Sequence, residues 1–139
     1  MESRRFGNQW IVRIDRGEEV VGTLKRFCTE NGIRLGSVSG IGAVGSVRVG
    51  LFKTGTKEYL TTELQGDFEI TSLTGNISTL AGEVYLHLHI TLSDEGYHAL
   101  GGHLSAAVVS GTCELVVTEI AGEMDREFDP GVGLNLYRF

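Results

Sequence analysis

GEVYLHLHITLS, residues 82–93, decides the fold class. Val84, Leu86, Leu88, Ile90 and Leu92 fall on every second position, and period two marks a half-buried β-strand rather than a helix. His87 and His89 sit on the opposite face of that strand. Downstream, Ala106 to Ile120 carries VV and LVV runs around a central Ser-Gly-Thr, and Gly133 to Phe139 reads as a closing strand. Upstream, Phe68, Ile70 and Leu73 lie in GDFEITSLTGN (66–76), while Val47, Val49 and Leu51 alternate with Ser46, Arg48 and Gly50. QWIVRI, Gln9 to Ile14, supplies a first strand. One segment breaks the pattern. From Glu18 to about Asn31 the apolar residues are Val20, Val21, Leu24, Phe27 and Cys28, a helical stripe with Glu18 and Glu19 in its first turn and Asn31-Gly32 as its stop.

The 139 residues are 41% hydrophobic and 22% charged, which suits one domain with a real core. Twenty glycines without a fixed period, against the single Pro130, exclude collagen and favour a β-rich chain with tight turns. The expectation is a single α+β domain over residues 1–139, mainly antiparallel sheet with one principal helix. A formal net charge of −6 opposes nonspecific attraction to nucleic acid or an anionic membrane. MESRRFGNQW has no apolar stretch after its arginines, and no run reaches the roughly 18 apolar residues of a membrane span, so a cytoplasmic protein is expected. Cys28 and Cys113 belong to no CxxC pair and are expected as small buried hydrophobes without a disulfide.

Gly40-Ile41-Gly42-Ala43-Val44-Gly45 matches GxGxxG, but the dinucleotide fingerprint needs a helix directly after it to receive the pyrophosphate. SVRVGLF follows instead, alternating with period two, and the glycines are read as a tight strand-to-strand crossing. The histidines carry more. His87 and His89, two apart on a strand, point the same way at roughly 6.5 Å, so their imidazoles can converge on one ion. His103 follows in GGHL, where Gly101 and Gly102 read as a turn that brings the backbone close and aims the ring. Three neutral nitrogens with one open position suit catalytic zinc or a related ion. An HxH on a wet strand face beside an unrelated loop histidine fits the same spacing. His98 is expected in solvent. Ser37, Ser39, Ser105 and Ser110 lack a GxSxG context, so catalytic residues stay unassigned. Glu69 is expected at a sheet edge, or as partner to Arg48, ahead of any catalytic role.

Together, SVSGIGAV (37–44), GDFEITSLTGN (66–76), HLHITLSD (87–94), GGHL (101–104) and AAVVSGTCELVV resemble the plant and prokaryote conserved domain, the PPC family, in content and order. The resemblance implies an α+β homotrimer with a metal site, one zinc ion per chain, at His87, His89 and His103. Prokaryotic relatives are described as predicted DNA-binding proteins, a label that derives from plant members with a separate AT-hook. No Arg-Gly-Arg-Pro core occurs here, and only Arg4, Arg5, Arg13 and Arg16 gather near one end. DNA is therefore a weakly supported partner, and its contact residues are unassigned. Acetolactate decarboxylase is similar more distantly, in general fold and in holding zinc through an HxH strand and a downstream histidine. That similarity implies a zinc enzyme acting on a small carbonyl or oxyacid as the alternative to a regulatory role.

Overall fold

The computed structural model describes residues 1–139. Eight strands and one helix follow the chain: β1 (Glu2–Phe6), β2 (Gln9–Ile14), α1 (Val20–Glu30), β3 (Gly36–Lys53), β4 (Glu58–Leu80), β5 (Glu83–Ser93), β6 (Ala99–Glu119), β7 (Asp125–Asp129) and β8 (Leu134–Tyr137). All strands join one sheet in the order β1-β2-β6-β3-β4-β7-β8, and β5 bridges β4 to β6. The pairings β3–β4, β4–β5, β5–β6 and β6–β3 therefore close a circuit. Pairing is antiparallel except for two residues of β4 beside β7. The chain is a single α+β domain, as its patterning predicts.

Long strands curl only where the ladder is interrupted, and β3 slips register between Gly40 and Gly42 and again between Val44 and Ser46. These bulges occupy the GxGxxG segment, which is the middle of a central strand and not a crossing between strands. Close approach explains the glycine: a Cβ at Gly40 would lie 2.6 Å from the Glu114 carbonyl oxygen of β6. A bulge between Ile70 and Ser72 likewise explains why Ile70 and Leu73, three apart, both face inward.

Helix α1 buries Val20, Leu24, Phe27 and Cys28 against the inner face of the sheet, with Trp10 edge-on to Phe27 at 5.3 Å between ring centres. Glu18 and Glu19 stand before the helix rather than in its first turn. Glu19 is the N-cap, accepting the Val21 and Gly22 amides, and it also accepts the Ala107 N–H of β6. One carboxylate thus caps the helix and pins it to the sheet. Asn31 caps the other end, with Gly32 at φ 68° beyond it.

The core unites Val12 and Ile14 of β2 with α1 and the inward rows of β3 to β6, including Val84, Leu88, Ile90 and Leu92. Cys28 and Cys113 are free and buried, and desolvation pushes their thiols up to about 12 and about 11. No helix is long and apolar enough to cross a membrane.

Candidate metal centre

Where β5 closes the circuit, His89 of β5 stands opposite His103 of β6. His87, two residues before His89, faces the same side. The Nε2 atoms of His87 and His89 are 3.3 Å apart, and one ring nitrogen from each of the three histidines lies within 4.8 Å of the others. Two nitrogens bound tetrahedrally to one zinc stand about 3.3–3.4 Å apart, so the HxH pair matches the edge of such a site. His103 arrives from within strand β6, not after a turn. Gly101 and Gly102 pair with Thr91 and Ile90, and the true turn lies between Ser93 and Ala99. The glycines serve close packing: a Cβ at Gly102 would lie 2.6 Å from the Gly50 carbonyl oxygen of β3.

Around His87 and His103 the environment disfavours the charged ring. Burial first, then the neighbouring charges of His89 and Arg126, holds His87 below the usual imidazole range. His103 is lowered by burial and then by His87 and His89. Neutral imidazole is the form that binds a metal. Tyr59 of β4 packs edge-on against His103 at 5.8 Å, and burial raises its hydroxyl above the ordinary phenol range, so it stays protonated.

The cluster opens on a cavity of about 620 Å³ whose walls include Leu51, Phe52, Tyr59, Tyr85, Leu134 and Leu136. Arg126 of β7 also lines it. This arginine is 6% exposed and is the only buried charged residue. Nothing in the period or composition of DREFD marks it beforehand, because its burial depends on β7 and β8 folding over β4.

His98 lies outside the cluster. It is exposed in the β5–β6 turn, where Asp94 accepts the amides of Gly96 and His98 and approaches the His98 ring. Glu69 is exposed opposite Ala43 and Ser93, inside the sheet rather than at its edge, and Arg48 bonds Glu63 instead. Of the N-terminal arginines, Arg5 pairs with Glu119 at 2.9 Å, and Arg13 with Asp15 at 2.8 Å and Glu2 at 3.2 Å. Only Arg4 and Arg16 of that group carry no ion pair.

This chain thus combines a curled antiparallel sheet with three histidines converging at the mouth of a largely apolar cavity. The chain belongs to the Plants and Prokaryotes Conserved (PCC) domain family, whose model matches residues 1–121. A solved structure from Bacteroides thetaiotaomicron, provisionally named as a DNA-binding protein, is 42% identical with a TM-score of 0.97, over 99% of this chain and 96% of that one. A metal-containing protein from Archaeoglobus fulgidus is 36% identical with a TM-score of 0.90, over 97% and 96%. Alpha-acetolactate decarboxylase from Bacillus subtilis, 16% identical with a TM-score of 0.56 over 88% of this chain and 57% of its own, shares the fold. No curated protein matches the chain.

Proposed function

We propose that the chain holds one zinc ion through His87, His89 and His103, works as a homotrimer, and uses the metal centre to bind a small oxygen-donor ligand in the adjoining cavity. The observation that carries this reading is the 3.3 Å separation of the His87 and His89 Nε2 atoms, with a His103 ring nitrogen within 4.8 Å. Three rings from the paired strands β5 and β6, with their nitrogens turned to one point, suit an ion that all three can bind. The Archaeoglobus relative, described as metal-containing, supports it.

Three protein ligands are the count of a catalytic zinc site; structural sites close with four. Zinc, when bound, supplies Lewis acidity toward a carbonyl or carboxylate oxygen, or activates water. The chain's own residues do the rest. Leu51, Phe52 and Leu136 offer an apolar wall to the body of a small molecule, and Tyr59 offers a protonated hydroxyl. This favours a small carbonyl or oxyacid as ligand. The trimer is supported by apolar surface: Leu51 and Leu60 pair across β3 and β4 yet are 62% and 44% exposed, a patch that a neighbouring copy would cover.

A DNA-binding role for this chain has the provisional names of relatives behind it. It is opposed by the internal ion pairs of Arg5 and Arg13 and by the net charge of −6.

Elemental analysis of protein purified without a chelator or a polyhistidine tag tests the metal centre. The expected result is near one zinc per chain, lost in His87→Ala/His89→Ala. Equal metal content in both proteins would overturn it.

A further inference from the structure

Arg126 is a buried cation without a carboxylate. Its three hydrogen bonds all go to neutral acceptors, each at 2.8 Å: Nε donates to the Ser78 hydroxyl, Nη1 to the Asn135 carbonyl and Nη2 to the Asn76 side-chain oxygen. Two aromatic faces flank the guanidinium, Tyr85 at 5.0 Å and Tyr137 at 4.2 Å from Cζ to ring centre. The adjacent acid, Asp125, bonds the Thr79 hydroxyl and approaches Arg138. A guanidinium has five N–H donors, so two remain after these contacts. Every arginine or lysine that makes an ion pair does so at the surface, where water already supports the charge.

A fixed charge withdrawn from water without an anion is costly, and the fold sets this one in place with three bonds and two rings. Position gives the reason. Arg126 lines the same cavity as the histidines, and Asn76, which it bonds, stands directly opposite His87 across β4 and β5. The charge and the metal ligands thus face one cavity whose remaining walls are largely apolar.

We propose that Arg126 is the receptor for the carboxylate of a small organic acid, held in the cavity with its other end toward His87, His89 and His103. The inference rests on the cavity being the ligand site proposed above. Planar, two-pronged N–H donation suits a carboxylate, and the aromatic and aliphatic walls suit a short carbon chain. Inorganic phosphate shares the anionic chemistry but has no apolar body for those walls.

The test is calorimetric titration of the zinc-loaded protein with acetate, pyruvate and lactate, each against its neutral amide, and with inorganic phosphate. At least one carboxylate should bind about tenfold or more tightly than its amide. Arg126→Gln should erase that preference while zinc content stays at the wild-type level. The preference should persist, at lower affinity, in His87→Ala/His89→Ala, which separates the anion site from the metal. Should Arg126→Gln fail to fold, the carboxylate–amide comparison on the wild type still decides. Equal binding of acid and amide, or no carboxylate binding at about 10 mM, overturns the proposal. Phosphate binding more tightly than every carboxylate overturns the assignment to an organic acid. Wild-type protein that carries no zinc when purified without a chelator, yet shows the charge preference, overturns the metal reading alone.

Discussion

Gly102→Ala puts the metal centre under a defined mechanical load. The new Cβ would lie 2.6 Å from the Gly50 carbonyl oxygen, and ordinary contact begins near 3.4 Å, so β6 must move about 0.8 Å from β3 to restore it. The opposing atom is backbone in the middle of a sheet and cannot swing aside. Gly102 precedes His103, and His103 itself pairs with Gly50, so the displacement falls on the third histidine. Zinc–nitrogen distances tolerate about 0.2 Å, a quarter of that movement. We expect zinc affinity to fall about 10–100-fold, in the range found when the support of a ligand is lost. The metal-free protein should lose about 1–3 kcal/mol to overpacking. Competition against a chromophoric chelator gives the affinity, and thermal unfolding of the metal-free protein gives the stability. Gly55→Ala is the control, because a Cβ there meets nothing within 4 Å. Wild-type zinc affinity in Gly102→Ala, or an equal loss in Gly55→Ala, would refute the reasoning.

Sedimentation at micromolar concentration should give a mass near three times 15.1 kDa, and a stable monomer would remove the trimer. Such a trimer carries a formal charge of −18, three times −6, so binding to random duplex DNA should be weak or undetectable at about 150 mM salt. Tight binding that resists salt would reinstate a nucleic-acid role. The metal-free protein should lose stability as pH falls below the ordinary imidazole value of 6.5. Because His87 and His103 are lowered in the folded state, the unfolded chain takes up protons first between 6.5 and those lowered values. Melting temperatures of chelator-treated protein should fall across that window, and a flat profile that matches His87→Ala/His103→Ala would contradict it.

The elements legible in the sequence were those with a sustained period. Alternation from Val84 to Leu92 gave β5 within one residue of its bounds, and the spacing of Val20, Leu24, Phe27 and Cys28 gave α1. Strand β1, ESRRF, has no buried residue and therefore no apolar period to read; its strand character comes from pairing with β2. The first half of β4 is hidden for the same reason. Glycine misled in two places. In GxGxxG it reads as a crossing between strands and in GGHL as a turn, whereas both sets lie inside strands, and at Gly40, Gly42, Gly101 and Gly102 a neighbouring backbone leaves no room for a Cβ. The three histidines were legible because strand parity puts His87 and His89 on one face. Arg126 was not, since its neighbours Asn76, Ser78, Tyr85 and Tyr137 come from three separate segments.

The placement of β6 between β2 and β3 also governs how the chain reaches this structure. Gln9 pairs with Thr118, 109 residues later, so the N-terminal hairpin has no further strand to pair with until β6 has been synthesised. The closing ladder between β5 and β6 depends equally on the late arrival of residues 99–103. Loop closure of this span must be met before the pairing returns any free energy, which places the fold among the slow, millisecond-to-second class. Helix α1 also depends on that strand, since its cap contact to Ala107 waits for β6. The nascent chain therefore exposes the edge of β3 that β6 will cover, and its yield in the cell depends on how that edge is shielded until β6 emerges.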